Sequence, residues 1–268
     1  MVVVIASHMQ ILKRLIKRPA IAPVATTAVE EPRPEYGFFG DYPTFEAALA
    51  DGTPYDSVDI ARRIAAQIPK FFADEFCEID GRYQQVHSTL VAVARRLGKD
   101  RLSVLDVGGG NGNNFIAARK MDPSFRCDWT ILETQSMCDA CSGLLPIRWI
   151  SAAPTEQFDV VLISGTLQCL PSPYDALAQF SKNAPWLIIH RTPLISRDRD
   201  RLMNQIVDQA IDPGKVIAHW FLSGEKLRLF LGSIGRIHYS WRNTQDDPAY
   251  VQVDGKTFGF LIKTFVGG

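Results

Sequence analysis

From residue 102 onward the chain alternates short apolar runs with helix-like stretches. Leu102–Val107, Asp128–Glu133, Ile147–Ser151, Val160–Ser164 and Trp186–His190 have the length and bounds of strands. Phe115–Lys120 and Asp175–Phe180 fall between them as helices. Strands that alternate with helices predict a parallel sheet covered by helices on both faces, an α/β architecture. Arg236–Arg242 and Phe258–Phe265 are two further strand-like runs, expected as an antiparallel pair at one side of the sheet.

Upstream the period is helical. Ile60, Ile64 and Ile68 recur on one face of a stretch over 57–73, as do Val86, Leu90, Val93 and Leu97 over 82–97. A shorter helix is expected to Ala50, with Thr44 as its N-cap. Tyr36-Gly-Phe-Phe-Gly-Asp41 is an aromatic and glycine cluster, preceded by a Pro-rich linker at 19–35. The organisation read from this is a tail and linker over 1–35, a helical cap over 36–100 and a core domain over 101–268. No internal repeat is visible.

Charge and composition narrow the function classes. The 268 residues carry 29 basic and 29 acidic side chains, so the formal net charge is +0 and nucleic acid is not expected as a partner. Five scattered cysteines do not read as a disulfide framework, which points to a reducing, cytoplasmic setting. No run approaches the roughly 20 apolar residues of a membrane span. Met1–Ala6 lacks the basic region of a signal peptide. The basic amphipathic run at 11–18 has two readings, contact with a membrane surface or a solvated terminal helix. Its two turns favour the second.

The chemistry centres on Asp106-Val-Gly-Gly-Gly-Asn-Gly112, an acidic-x-G-x-G-x-G pattern placed directly after a strand. Glycines allow a sharp turn and close approach of a ligand, and the helix that follows offers free amide groups. The loop lacks the Lys-Ser/Thr ending of a phosphate-cradling P-loop. Glu133 ends the second strand about 20 residues on, where a carboxylate accepts both hydroxyls of a ribose. Together they fit an adenosine-containing ligand, a dinucleotide or S-adenosylmethionine.

Val104-Leu-Asp-Val-Gly-Gly-Gly-Asn-Gly112, Glu133 and Phe158-Asp-Val-Val-Leu-Ile-Ser-Gly-Thr-Leu-Gln168 resemble, in order and spacing, the successive motifs of class I S-adenosylmethionine-dependent methyltransferases. The resemblance spans roughly residues 82–265. It implies a Rossmann-like seven-stranded sheet with an antiparallel last strand. It also implies roles: Gly108, Gly110 and Gly112 approach the methionine part of the cofactor, Asp106 contacts its ammonium group and Glu133 its ribose. Ser151 stands where many relatives place an adenine-contacting Asp, a departure that leaves its role open. Ser164 and Gly165 lie beside the reactive methyl. Tyr36-Gly-Phe-Phe-Gly-Asp41, Pro54-Tyr-Asp56 and Arg191-Thr-Pro193 resemble more narrowly a group of uncharacterised bacterial methyltransferases associated with surface-polysaccharide biosynthesis. The implied acceptor is a small molecule, a hydroxyl on a sugar or glycan precursor.

A hydroxyl acceptor benefits from a general base. His190, at the end of the fifth strand, is the first candidate and His219 the second, each with packing as its alternative role. Arg191 is a candidate clamp for a carboxylate or phosphate on the acceptor, with a surface salt bridge as its alternative. Tyr36, Phe38, Phe39 and Asp41 are a candidate lid. Cys138-Asp-Ala-Cys141 has pair spacing but no second pair, so no metal site is expected. Two other functions share the same loop: a nicotinamide-dependent oxidoreductase, although no Tyr-x-x-x-Lys pair occurs, and a cofactor-binding scaffold without turnover.

Overall fold

Alternation along the central strands sorts their side chains into two cores. Val160 and Leu162 face one way with Trp186 and Ile188, while Val161 and Ile163 face the other with Leu187 and Ile189. All are buried, so the sheet is covered on both sides. A computed structural model describes residues 36–53, 56–69, 79–207 and 215–265, all within the unit Pro34–Gly268. The tail and linker, the run at 11–18, Pro54-Tyr55 and residues 70–73 of the expected helix lie outside the described residues.

In chain order the elements begin with β1 (Gly37–Phe39), α1 (Phe45–Ala50), α2 (Val58–Ala65) and α3 (Gly81–Leu97). There follow β2 (Arg101–Val107), α4 (Asn113–Met121), β3 (Arg126–Leu132), α5 (Gln135–Cys141), β4 (Arg148–Ile150) and β5 (Val160–Ser164). The last third holds α6 (Pro173–Phe180), β6 (Trp186–Ile195), β7 (Arg201–Ile206), β8 (Val216–Ser223), α7 (Gly224–Ile234), β9 (Gly235–Arg242) and β10 (Lys256–Thr264).

Seven strands run in the order β4-β3-β2-β5-β6-β10-β9, with β10 antiparallel to both its neighbours. This is the Rossmann-like, seven-stranded architecture expected from the sequence. The expected antiparallel pair is present, although β10 sits inside the sheet and β9 forms its edge. Helices α6 and α7 cover one face through Leu177, Leu227 and Leu231. Helices α2 to α5 cover the other, with Val86, Leu90 and Val93 of α3 packed beside Phe115 and Ile116 of α4. The helices before residue 100 thus share a core with the sheet. Thr44 caps α1, its Oγ1 accepting from the Ala47 amide at 3.2 Å.

Three strands were not expected. β1, β7 and β8 form an antiparallel extension joined to the sheet where Leu194 and Ile195 of β6 pair with Leu222 and Ser223 of β8. The extension exists because β6 does not stop at His190. Ile189 pairs with Phe260 and Thr192 with Phe258, so His190 and Arg191 together oppose Gly259 alone. This is a β-bulge, and Arg191 takes a left-handed φ of 58° in it.

Candidate active site

The sheet order reverses between β2 and β5: β3 and β4 lie to one side, β6 to the other. In an open α/β sheet the crevice beyond the carboxyl ends of such a strand pair is where ligands bind. The glycine loop leaves β2 at this point. Gly108 donates its amide to Leu132 O at 2.8 Å, and its φ is +66°. A Cβ at this position would stand 2.3 Å from Thr166 Cγ2, so conformation and space both demand glycine. Gly110 also has a left-handed φ, +57°, but a Cβ there meets nothing within 4 Å, so the loop is open on that side. Gly112 closes the turn onto α4.

Glu133 stands just beyond β3. Its Oε1 accepts from the Gly110 amide at 3.0 Å and its Oε2 from the Thr134 amide at 2.9 Å. The acidic side chain and the glycine loop, separate motifs in the chain, are one hydrogen-bonded unit. Burial raises the Glu133 pKa, while these two amides pull it back down.

A cavity of about 810 Å³ opens against this unit. Val107, Gly108, Glu133, Thr134 and Ser151 form its floor, Thr166 to Ser172 one wall, and Asp175 and Gln179 of α6 its far end. Phe45 and Leu49 of α1 and Ile217 and Ala218 of β8 complete the enclosure. Among the described residues, the lining holds the carboxylates of Glu133, Asp56 and Asp175 and neither lysine nor arginine. Hydrogen bonds from Ser136, and secondarily from Thr134, hold the Asp56 carboxyl below its usual pKa.

Asp106 lies beneath the loop, fully buried, where a Cβ on residue 109 would come within 2.8 Å of its Cγ. Its Oδ2 accepts from Asn114 Nδ2 at 3.3 Å, and the Trp129 indole also lies against the carboxyl. Burial pushes its pKa up to about 7, against the hydrogen bonds from Asn114 and Trp129. A buried carboxyl held only by neutral donors is costly to ionise, and a cation reaching it would relieve that cost.

The remaining sequence candidates divide. Ser151 lines the cavity, and its hydroxyl donates to Gln135 Oε1 at 2.6 Å. Ser164 and Gly165 end β5 at the crevice, with the Gly165 amide donating to His190 O at 2.9 Å. His190 is not an open base. Its ring is 1% exposed, Nδ1 meets Ser164 Oγ at 3.1 Å, and Nε2 meets Gln85 Oε1 at 3.2 Å. Burial, reinforced by the Arg191 charge, pushes its pKa down to about 3. Neither nitrogen is available for an acceptor's proton.

His219 is also corrected. It is buried in β8 within a ring cluster of Phe38, Phe221 and Tyr250, and burial pushes its pKa to about 3. Arg191 is spent internally, with Nε and Nη2 bonded to Asp246 at 2.9 and 3.1 Å. The aromatic cluster at 36–41 is not a lid over the cavity: Gly37–Phe39 is strand β1, and Phe38 packs on Phe221 at 4.8 Å. The apolar cover comes instead from Phe45 and Leu49, which the sequence reading passed over. Thr166, Asp56 and Asp175 were missed as well. Of these, Thr166 and Asp56 belong to the motifs named above, and Thr166 carried a signal, as a hydroxyl two residues past a strand that ends beside the loop. Cys138 and Cys141 are buried on α5, Cys141 within the core.

No family model matches the chain, and no curated protein matches it. Solved structures do. N-methyltransferase NodS from Bradyrhizobium japonicum WM9, in complex with S-adenosyl-L-homocysteine, is 13% identical, with 75% of this chain and 98% of that one covered and a TM-score of 0.42. A 1,6-didemethyltoxoflavin N1-methyltransferase from Burkholderia thailandensis is 14% identical, covering 79% and 92% at a TM-score of 0.42. The N-terminal domain of EvdMO1, with S-adenosylhomocysteine and D-fucose, is 11% identical, covering 76% and 96% at a TM-score of 0.48. At this degree of likeness the residue roles rest on geometry alone.

Proposed function

We propose that this chain is an S-adenosylmethionine-dependent methyltransferase acting on a small acceptor, a hydroxyl of a sugar or glycan precursor. One observation carries the reading: the glycine loop and Glu133 bound a cavity lined by three carboxylates at the switch point of the β4-β3-β2-β5-β6-β10-β9 sheet. A dinucleotide would bring a pyrophosphate to walls that hold three carboxylates and no lysine or arginine among the described residues. A cationic adenosine derivative suits those walls.

The residues present fit that cofactor. Glu133 would take the ribose hydroxyls, the buried carboxyl of Asp106 favours an ammonium group above it, and the open face at Gly110 leaves room for the methionine chain. When bound, the cofactor supplies an electrophilic methyl on a sulfonium. The chain's contribution is to hold the acceptor in line and to exclude water with Phe45, Leu49 and β8. Neither of the two candidate histidines opens onto the crevice, so positioning is the principal source of rate. The cap over 36–100 and the core over 101–268 would then act as roof and floor of one site.

Calorimetry with S-adenosylmethionine, S-adenosylhomocysteine and NAD tests the reading. Binding of S-adenosylhomocysteine in the micromolar range, about −8 kcal/mol, is expected. Tight NAD binding without a response to S-adenosylhomocysteine would sink it.

A further inference from the structure

Gln85 belongs to no motif, yet it reaches the crevice through two hydrogen bonds. From α3 its Oε1 stands 3.2 Å from His190 Nε2, a contact across 105 residues of sequence. The other ring nitrogen, Nδ1, stands 3.1 Å from Ser164 Oγ. An amide oxygen only accepts, so the ring N–H sits on Nε2 and Nδ1 carries the lone pair. The proton between Ser164 and His190 therefore comes from the serine.

The surroundings keep the ring in that state. His190 is buried, with Trp241 tilted beside it at a centroid distance of 5.9 Å. Burial holds its pKa near 3; the charges of Arg191 and Arg82 act in the same sense, and Asp246 and Asp80 oppose them. At neutral pH the imidazole is one fixed donor and one fixed acceptor. A hydroxyl has one proton and two lone pairs, and Ser164 directs its proton inward. Ser164 ends β5 at the switch point, two residues before the cavity-lining Thr166, and is partly exposed, so what it offers is acceptor capacity alone.

We infer that Gln85 and His190 are positioning residues that hold the Ser164 hydroxyl as an obligate hydrogen-bond acceptor, and that the methyl acceptor presents an O–H or N–H donor to it. The identity of the ligand rests on the methyl-transfer reading; the hydrogen-bond chain does not. A methylated atom that carries a proton, oxygen or nitrogen, meets this requirement. An acceptor that carries neither an O–H nor an N–H group does not.

Nitrogen-15 NMR of the full chain labelled at histidine reads the tautomer, with His190→Asn identifying the signals. The expected result is a proton on Nε2, both free and with S-adenosylhomocysteine. Gln85→Met should move part of the population to Nδ1–H, and Gln85→Glu should restore Nε2–H, with cofactor affinity unchanged by calorimetry in both. In methyl transfer from S-adenosylmethionine to D-fucose and D-glucosamine as probes, Gln85→Met should lower kcat about tenfold, the worth of one hydrogen bond. Gln85→Glu should keep the rate. A proton on Nδ1 in the unaltered chain, or a tautomer that ignores Gln85→Met, overturns the inference. Turnover of either probe that Ser164→Ala leaves untouched overturns the role given to the Ser164 hydroxyl. Should Gln85→Met fail to fold, the tautomer of the unaltered chain still decides. Failure of S-adenosylhomocysteine to bind would remove the methyl-transfer reading while leaving the tautomer result standing.

Discussion

Thr166 and Gly108 interlock: the Thr166 hydroxyl donates to Gly108 O at 3.1 Å, while its methyl fills the place where a Cβ on residue 108 would stand. The contact joins the end of β2 to the turn after β5 across the switch crevice. Gly108→Ala meets a left-handed backbone, worth about 1–2 kcal/mol, and the Thr166 methyl as well. Cofactor affinity and melting temperature should both fall. Thr166→Ser removes the methyl and keeps the hydroxyl, so combining the two should recover part of the loss. Strictly additive losses in calorimetry and thermal melts would show that the pair is not coupled.

Asp106 predicts a pH dependence of binding. With its pKa raised to about 7 it is neutral in mildly acidic solution and must shed a proton to face a cationic ligand. Affinity should rise by up to about tenfold per pH unit below 7 and level off above it. Asp106→Asn should flatten the curve at a lower affinity. A curve for the unaltered chain that is level from pH 5 to 8 would remove Asp106 from the binding machinery.

Glu133→Gln keeps the size of the side chain and removes its charge. Loss of charged hydrogen bonds predicts weaker cofactor binding by about 1.5–3 kcal/mol. Because Glu133 also takes the Gly110 and Thr134 amides, a small drop in melting temperature should accompany it. A large drop with unchanged affinity would make the residue purely structural.

The buried histidines act on stability in the opposite sense from Asp106. His190 and His219 are neutral in the fold, with pKa values pushed from 6.5 to about 3, so the unfolded chain binds more protons between those limits. Stability is therefore present above pH 6.5 and lost as pH falls, by about 1.4 kcal/mol per pH unit for each proton. Asp106 is protonated in the fold from about pH 4 to 7, and its contribution instead declines as pH rises. His219→Phe suits the ring cluster and removes the titratable ring. It should soften acid unfolding and leave any turnover intact. Denaturant melts at pH 5 and pH 8 test this, and an unchanged acid slope would refute it.

The sheet was legible because its central strands are short apolar runs with glycine or polar ends. The extension was not, because β7 and β8 mix polar and apolar residues. Asn204 is buried by donating to Ala48 O at 2.9 Å, and His219 by its ring neighbours, so neither strand shows a clean period. In the site, the loop and Glu133 stand close in sequence and could be read as a motif. The roof of Phe45 and Leu49, and the Gln85–His190 contact, are tertiary facts with no local signature. A strand-end histidine announces a position, but only the fold says that both its nitrogens are taken.

The bulge in β6 makes the chain one residue longer than a regular strand needs. Side chains alternate between faces, so a single inserted residue reverses which of them point inward for the rest of the strand. Removing Arg191 would restore a simple count, yet it would exchange the faces to which Leu194 and Ile195, the residues paired with β8, present their side chains. The join to the strand that brings Ile217 and Ala218 to the cavity thus depends on a one-residue surplus in β6.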